Sequence, residues 1–449
     1  MAPHEKFRFS NSAAFRSKIE ELGLTIPFSP DISPLLQPGS ISGRPTCNRL
    51  AVHPMEGADA EPDGRPGSLT YRRYERFGAG GCGLIWFEAA AVVPEGRSNP
   101  HQLQITPRNL DGFKQLVGRT REAADRAGRI TAPLLLLQLT HSGRFSKPNG
   151  IPAPIIARRD PALDALHRLS PDHPLVSDES LDRLRGDFLR AADLAADAGF
   201  DGVDIKACHG YLVGELLASR TRREGRYGGP FENRTRFLVE TTAKIKAARP
   251  ELLLACRLGV YDGLVGGFGV PGNGTAAEDL WEPLALVRRL IEAGLSILNI
   301  TAGIPAYRPH FGRPCDQPIP GSIPPPEHPL ESVARLIRLA SEIQKANPDL
   351  PVVGTGYSWL RGFFPATAAG AVRDKCASFI GLGRLAIAYP DFARDLTRDG
   401  RLDSRRMCTA CSGCSVLLRA GGPSGCVVRD AERYKLSGPD PKPSSGGTV

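Results

Sequence analysis

Eight short apolar runs alternate with helical stretches between Asn48 and about Ala393, and this alternation limits the possible folds more than any other feature. Apolar residues recur at helical spacing between the runs, which is typical of parallel β/α units. Eight such units can close into a (β/α)₈ barrel or lie in an open doubly wound sheet, because both have the same local alternation. The predicted strands are residues 49–55, 83–91, 132–139, 202–206, 252–259, 297–301, 351–354 and 378–381.

The chain divides by composition into four predicted segments. Two loops, 141–176 and 302–326, are rich in proline or glycine, and the first is expected to act as a lid or to contact substrate. The N-terminal segment should contain a short helix at 12–22 and cap the bottom of the barrel. The segments are an N-terminal segment at 1–46, a barrel at 47–400, a cysteine-rich segment at 401–434 and a disordered tail at 435–449. The predicted helices of the barrel include 111–127, 178–198, 232–248, 280–293 and 330–345.

The overall composition excludes several classes of protein. Hydrophobic residues make up 41% of the chain and charged residues 23%, which is the balance of a globular protein with a sizeable core. The formal charge of +9 is scattered along the chain, so it gives weak support for anionic cofactors and negligible support for nucleic acid as a partner. No run approaches the ~20 apolar residues of a membrane helix, and the N-terminus lacks a signal-peptide core. We therefore expect a cytoplasmic protein; its oligomeric state is left open.

One segment, residues 204–237, carries the most specific pattern: DIKACHGYLVGELLASRTRREGRYGGPFENRTRF. It resembles the Old Yellow Enzyme family of NADH:flavin oxidoreductases, which has H-x-x-[HN]-G-Y-L at the end of the fourth barrel strand and then Y-G-G-x-x-x-N-R-x-R-F. The resemblance extends over about residues 35–430 and implies an FMN-binding (β/α)₈ TIM barrel. The matching residues are His209, Gly210, Tyr211, Leu212, Tyr227, Gly228, Gly229, Asn233, Arg234, Arg236 and Phe237.

The same resemblance implies catalytic roles for three residues. Side chains at the C-terminal end of a barrel strand point into a shared active-site mouth. In the family, two residues there bind the carbonyl oxygen of the substrate, and His209 corresponds to one of them. Lys206 stands where the family usually has the other, a histidine. Tyr211 matches the family's proton donor to the carbon α to the carbonyl. The alternative is that His209 and Tyr211 are hydrogen-bonded packing residues.

Flavin contacts are implied at several separated positions. Glu56 departs from the family, which has threonine or cysteine there, and its carboxylate would disfavour an anionic reduced flavin unless a cation such as Lys206 balances it. Arg257 matches the arginine that faces the pyrimidine side of the ring. The implied ring contacts are Pro54, Met55 and Glu56 after the first strand, Ala89 in the second, Gln138 in the third and Arg257 in the fifth.

Glycines follow the seventh and eighth predicted strands, where barrels commonly bind phosphate. Gly354 and Gly356 belong to the first group, and Gly383 with Arg384 to the second. Glycines expose backbone N–H groups, and an arginine adds a bidentate charge. These residues are therefore expected to hold the FMN phosphate.

Four of the ten cysteines crowd into the segment after the barrel, with C-x₂-C-x₂-C-x₁₁-C spacing. In a reducing compartment such crowding indicates metal before disulfides. The segment resembles the one that ligates a [4Fe–4S] cluster in trimethylamine dehydrogenase and 2,4-dienoyl-CoA reductase, and structural zinc is the alternative. The expected ligands are Cys408, Cys411, Cys414 and Cys426.

The function favoured by these features is NAD(P)H-driven reduction of a carbon–carbon double bond conjugated to a carbonyl in a small molecule. A related alternative is dehydrogenation of an amine or a similar donor, with electrons leaving through the cluster. A third is a barrel lyase that uses Lys206 as a Schiff-base nucleophile, with zinc in the tail. A binding or electron-transfer protein without turnover is the fourth.

The reductant has two possible routes to the flavin. No G-x-G-x-x-G follows an early strand, so no additional dinucleotide-binding domain is expected. Either NAD(P)H reduces FMN directly in the shared mouth, or a separate electron-transfer protein delivers electrons through the cluster. The sequence leaves the choice open.

Overall fold

Eight parallel strands close into a barrel in the computed structural model, which describes residues 4–128, 131–222 and 225–436. A two-stranded antiparallel hairpin, β1 (Gly39–Ile41) and β2 (Arg44–Thr46), precedes it. The closed order is β10-β3-β4-β5-β6-β7-β8-β9, so the barrel prediction is confirmed over the open sheet. The barrel strands are β3 (Leu50–Val52), β4 (Leu84–Ala91), β5 (Leu134–Thr140), β6 (Gly202–Ala207), β7 (Leu253–Gly259), β8 (Ile297–Thr301), β9 (Val352–Gly354) and β10 (Phe379–Leu382).

Each predicted strand corresponds to one observed strand. All strand residues of the barrel are buried, because helices cover the outer face and side chains fill the inside. The largest difference is in the first strand, where pairing ends at Val52 although the apolar run continues to Met55. Residues after Val52 therefore leave the barrel wall and are available to the cavity above it. The interior is filled by Ala51, Leu84, Trp86, Leu134, Leu136, Leu253, Ala255, Ile297, Val353 and Phe379, together with Ile41 of the hairpin.

Helices surround the barrel, and those predicted begin and end within two residues of the observed bounds. The helix Ser68–Ala79, which was not predicted, has only Tyr74 and Phe77 as large buried apolar residues and also buries Arg73, so its apolar stripe is weak. The helices are α1 (Ser12–Glu21), α2 (Ser33–Leu36), α3 (Ser68–Ala79), α4 (Leu110–Arg126), α5 (Pro161–His167), α6 (Asp178–Asp197), α7 (Leu212–Leu217), α8 (Phe231–Ala248), α9 (Trp281–Glu292), α10 (Pro309–Gly312), α11 (Pro329–Ala346), α12 (Phe364–Arg373), α13 (Arg384–Ala388), α14 (Phe392–Asp399) and α15 (Gly413–Arg419).

The N-terminal segment contacts the barrel in two places. Its hairpin closes the bottom of the barrel, since Ile41 is fully buried with the interior side chains. Residues before α1 instead pack on the side: the Phe7 ring lies 5.3 Å from that of Trp359, and Phe9 lies 5.1 Å from Phe7. The predicted cap is thus formed by the hairpin rather than by the whole segment.

The cysteine-rich segment packs against the barrel. Met407, Cys408 and Ala410 belong to the main hydrophobic core. Asp430 accepts hydrogen bonds from Arg72 of α3 at 2.7 Å and from Arg76 at 2.8 Å. Of the predicted tail, residues 437–449 lie outside the described residues. In the part of the chain that the structure describes, no helix combines the length and apolar character needed to cross a membrane.

Candidate functional site

A cavity of about 500 Å³ lies over the C-terminal ends of the barrel strands. Its wall brings together residues that are far apart in the sequence, from the ends of β3, β6, β7, β9 and β10 and from α15. Ala89, Gln138 and Gly354 are not on its wall. The predicted site residues that line it are Pro54, Met55, Glu56, Lys206, His209, Tyr211, Arg257, Gly356, Gly383 and Arg384.

Lys206 and Tyr211 are in direct contact in this cavity. The Lys206 Nζ atom lies 3.5 Å from the centre of the Tyr211 ring, a cation–π arrangement. Burial lowers the pKa of Lys206, and Glu56 opposes this shift. Burial raises the pKa of Tyr211 well above its usual value, and Glu56 raises it further. Tyr211 therefore keeps its proton at neutral pH.

The Glu56 carboxylate is held by three side chains. Tyr211 donates its hydroxyl to Glu56 Oε2 at 3.4 Å. Asn99 Nδ2 donates to Oε1 at 3.2 Å, and the Ser98 hydroxyl donates to the same oxygen. Glu56 is half-buried and contributes electrostatically to both Lys206 and Tyr211. The charge that the sequence analysis identified as unusual thus lies beside the lysine expected to balance it.

His209 has a backbone conformation that is uncommon for a residue with a side chain. Its φ is +64°, and Gly210 follows with φ +74°. Histidine tolerates this left-handed region better than most residues, and such conformations cluster at functional sites. Its Nε2 atom lies 3.4 Å from Thr301 Oγ1. Burial, aided by Arg257 and Lys206, holds the pKa of His209 well below its usual value, so the ring is neutral.

Arg257 reaches from β7 toward the end of β3. Its Nη1 donates to the Pro54 carbonyl at 3.3 Å, while its Nε is buried without a hydrogen-bond partner. The Arg257 backbone N–H donates to Asp204 Oδ1 at 2.6 Å. Gln138 Nε2 donates to the other carboxylate oxygen of Asp204 at 2.5 Å. Gln138 therefore holds a buried carboxylate behind the cavity, and its flavin contact stays a prediction.

Ala89 and Gly354, the other two predicted residues that do not line the cavity, lie against other protein groups. The Ala89 carbonyl accepts from Gln102 Nε2 at 3.2 Å. Gly354 ends β9, and a Cβ there would lie 3.2 Å from the Tyr357 hydroxyl. A backbone role near a flavin stays a prediction for both.

His53 lines the cavity and was missed by the sequence analysis. It follows β3 directly, and its Nδ1 lies 3.1 Å from Asn299 Nδ2. Its Nε2 is buried without a hydrogen-bond partner. Burial and the Arg257 charge hold its pKa well below the usual value. A Cβ at Gly381 would collide with its ring, so only glycine fits there. The sequence feature that could have identified His53 is a histidine placed near the end of a predicted barrel strand.

Two arginines stand close together at the end of the cavity beyond β10. Arg384 donates to the Pro314 carbonyl at 2.6 Å. Burial and the neighbouring Arg384 lower the pKa of Arg313 to about 10. Neither forms an ion pair with a carboxylate among the described residues. Gly356 has φ +99°, and a Cβ at Gly383 would lie 2.7 Å from Met55 Sδ. Cations and glycine backbone are the groups with which proteins commonly bind phosphate, so a phosphate site here stays a prediction.

The four predicted cysteine ligands are neighbours at the side of this cavity. Burial raises the pKa of Cys408 to about 11, and Cys414 and Cys426 add to the rise. The Ala410 N–H donates to Cys408 Sγ at 3.4 Å, and the Arg429 N–H donates to Cys426 Sγ at 3.3 Å. Across residues 4–128, 131–222 and 225–436, no three His, Cys, Asp or Glu side chains are arranged to hold a metal ion. The helix that carries Cys414 contributes Ser415, Leu418 and Arg419 to the cavity wall.

The profile of the NADH:flavin oxidoreductase / NADH oxidase family matches residues 34–279, more than half of the chain. The chain belongs to this family. The resemblance drawn from residues 204–237 is thereby confirmed. The matched range includes the predicted ring contacts and the Lys206–Tyr211 region, whereas the cysteine segment lies beyond it.

Curated relatives of this family member include two bacterial enzymes. It is 28% identical over 385 residues to an NADH oxidase of Thermoanaerobacter brockii, covering 85% of the chain and 53% of the relative. It is 34% identical over 203 residues to an NADPH dehydrogenase of Listeria monocytogenes, covering 44% of the chain and 56% of the relative. The chain thus spans about half the length of these relatives.

Solved structures share the fold of this family member. A 2-naphthoyl-CoA reductase has a TM-score of 0.72 and 20% identity, with 89% of this chain and 57% of that chain covered. Histamine dehydrogenase from Rhizobium sp. 4-9 has a TM-score of 0.67 and 22% identity, with 88% and 52% covered. An Old Yellow Enzyme homologue from Zymomonas mobilis has a TM-score of 0.62 and 21% identity, with 90% and 99% covered.

Proposed function

We propose that this family member is an FMN-dependent enzyme that uses NAD(P)H to reduce a carbon–carbon double bond conjugated to a carbonyl. The observation that carries the proposal is the contact between Lys206 and Tyr211 on the wall of a cavity that His209 also lines. This arrangement supplies a cation and a second polar group for a carbonyl oxygen, and a neutral phenol that can give up a proton. No other described cavity holds all three groups.

The cavity residues fit FMN. Arg257 Nε and His53 Nε2 are buried on its wall without hydrogen-bond partners, as expected of groups that meet a polar ring. Arg384 and Arg313 lie beside glycine backbone at the other end, where a phosphate would sit. FMN bound here would supply hydride transfer from nicotinamide to substrate. Pro54, Met55 and Glu56 would line its ring.

Lys206 and His209 would bind the carbonyl oxygen of the substrate. Negative charge develops on that oxygen as hydride reaches the β carbon, and a preorganised cation in a buried site stabilises it. His209, whose ring is neutral, would donate a hydrogen bond, and the protonated form of Lys206 would add the charge. Its ring lines the same cavity as Lys206.

Tyr211 would protonate the α carbon. Its hydroxyl is protonated at neutral pH because burial, together with Glu56, raises its pKa. The Lys206 charge over the ring would stabilise the phenolate left after proton transfer. Binding and proton donation are thus assigned to different residues.

We also propose that the cysteine segment holds a [4Fe–4S] cluster. One zinc ion needs its sulfur ligands at about 2.3 Å from a single centre, whereas a cluster takes each thiolate on a different iron. The C-x₂-C-x₂-C-x₁₁-C spacing resembles that of cluster-binding segments, and this resemblance favours the cluster over zinc. N–H groups donating to Cys408 and Cys426 are favourable for thiolate ligands.

Two anaerobic assays test the activity. In the first, NADPH or NADH is oxidised by a cyclic enone, and in the second an amine reduces an artificial electron acceptor. We expect turnover in the first and none in the second. Turnover with amine alone would support the second candidate, an amine dehydrogenase, which the fold of histamine dehydrogenase brings into consideration. Borohydride trapping of a carbonyl compound on Lys206, with flavin irrelevant to turnover, would favour the lyase.

A further inference from the structure

The wall of the cavity is rich in positive charge. Its wall includes one carboxylate, Glu56, against six cationic side chains. The lining histidines do not add charge, because burial holds the pKa of each below its usual value. FMN brings about two negative charges on its phosphate and one more on its reduced ring. A cluster on the four cysteines would add further negative charge near Arg313 and Arg384. The cations are Lys147, Lys206, Arg257, Arg313, Arg384 and Arg419.

These cations are unusual in having no carboxylate partner. Buried arginines elsewhere in the chain are paired: Arg144 with Asp164 and Glu215, and Arg234 with Glu282. None of the six cavity cations forms an ion pair with a carboxylate in the described ranges. An unpaired cation at the wall of a pocket favours an anionic ligand.

Two of the six, Lys147 and Arg419, are exposed where the cavity opens to solvent, which we call its mouth. Arg419 belongs to α15, lies near Arg313 and donates to the Pro305 carbonyl at 3.3 Å. Lys147 lies in the 141–176 loop, where its backbone N–H donates to the Arg97 carbonyl at 2.8 Å. Both side chains are exposed, so they are available to a ligand that enters from solvent.

Between the mouth and Tyr211 the wall is apolar and aromatic. The Phe145 ring lies 5.7 Å from the Tyr211 ring and 4.8 Å from the His167 ring. Leu166 is 49% exposed although it lines the cavity. His167 Nε2 is buried and has no hydrogen-bond partner. A ligand with a planar apolar body and a polar outer end fits this wall.

We propose that Lys147 and Arg419 bind a carboxylate or phosphate group of the reacting molecule, whose other end reaches Lys206 and His209. This inference rests on the proposed function and adds the substrate class, an organic anion. The anionic group has two possible sources, the unsaturated carbonyl substrate or the phosphates of NAD(P)H. A cationic amine is disfavoured in a cavity of this charge.

The first arm of the test uses enzyme reduced photochemically, so that no coenzyme is present. Its reoxidation is followed with three matched enones: 4-carboxybenzalacetone, the methyl ester of that acid, and the 4-trimethylammonio analogue. We expect the native enzyme to prefer the carboxylate. In Lys147→Gln/Arg419→Gln, KM for the carboxylate should rise about tenfold, since each exposed pair contributes a severalfold effect, while KM for the ester changes less than twofold. The control is Lys114→Gln/Arg126→Gln, which removes two exposed charges from α4.

The second arm measures binding of NADPH and NADH to the oxidised enzyme. A tenfold weaker Kd for the coenzyme in Lys147→Gln/Arg419→Gln, with the enone arm unchanged, would identify the coenzyme phosphate as the source of the anion. No change in either arm, or loss of FMN from this variant, would overturn the inference. Equilibrium binding of 4-carboxybenzalacetone separates the two proposals. Suppose that no enone reoxidises the enzyme but that binding of 4-carboxybenzalacetone still depends on Lys147 and Arg419. The proposed function is then wrong, whereas the proposed anion site is supported.

Discussion

The Lys206 Nζ atom lies 3.5 Å from the centre of the Tyr211 ring, and the Tyr211 hydroxyl donates to Glu56 at 3.4 Å. A cation, a phenol and a carboxylate are thus linked on one wall of the cavity. Lys206 favours the phenolate form of Tyr211, whereas Glu56 and burial favour the phenol. The balance between them decides when Tyr211 releases its proton.

Replacing Lys206 by methionine should weaken ligand binding and leave flavin reduction intact. Lys206→Met keeps an unbranched side chain, one atom shorter, but removes the charge that we assign to the substrate oxygen. The Kd of a carbonyl or phenolate ligand is expected to rise about ten- to hundredfold, as for loss of a charged hydrogen bond. The rate of FMN reduction by NAD(P)H should change less than threefold. An unchanged Kd would remove Lys206 from the binding role.

Tyr211→Phe should have the complementary effect. The variant keeps a ring beneath Lys206 but lacks the hydroxyl that donates the proton. Reoxidation of the reduced enzyme by an enone should slow about a hundredfold or more, as expected for loss of a general acid. Binding of the same ligands should stay within threefold of native. Stopped-flow reoxidation and a binding titration measure the two effects, and an unaffected reoxidation rate would exclude Tyr211 as the donor.

The barrel and the centre of the site could be predicted because their signals are local. Apolar runs identify the strands, and residues at the end of a strand share one mouth whatever the loops do. Lys206 lies at the end of β6, His209 and Tyr211 follow that strand, and Met55 and Glu56 follow β3. Their meeting in one cavity therefore depends only on barrel closure. Closure of the barrel was the one step that the alternation of strands and helices could not decide, because an open sheet has the same alternation.

The remaining parts of the site depend on contacts between distant segments. Arg313 and Arg419 reach the cavity because the 302–326 loop and the cysteine segment pack together: the Asp316 N–H donates to the Ala410 carbonyl at 3.1 Å. No periodicity or spacing encodes such a pairing. Gln138 shows the converse, since it lies on the third barrel strand as predicted while its side chain donates to Asp204.

Glu56→Gln should shift the pH dependence of reoxidation. Glu56 raises the pKa of Tyr211, so removing its charge lowers that pKa, and the phenol loses its proton at a lower pH. Because protonated Tyr211 is the active form, the alkaline limb of the rate profile should move to lower pH. Glu56 also raises the pKa of Lys206, so Kd for the ligand is measured at each pH to separate binding from proton transfer.

The control for Glu56→Gln is Asn99→Ala, which removes a neutral donor to the same carboxylate without changing charge. The alkaline limb of the rate profile of Asn99→Ala should stay near the position that it has in the native enzyme. A limb that moves to higher pH in Glu56→Gln would contradict the assigned electrostatic role.

The cysteine segment gives the last prediction. Purified without air, the protein should contain about four iron atoms and acid-labile sulfide per chain, since four thiolates equal the ligand number of a [4Fe–4S] cluster. Cys414→Ser should lose this iron and keep its FMN, because the residues that fit FMN come mainly from the ends of the barrel strands. Cys376→Ser, which alters a buried cysteine after α12, should keep both. Metal analysis and the flavin absorbance of each variant measure this. Stoichiometric zinc without sulfide in the native protein would assign the segment a structural role instead, and iron retained in Cys414→Ser would remove that residue from the ligand set.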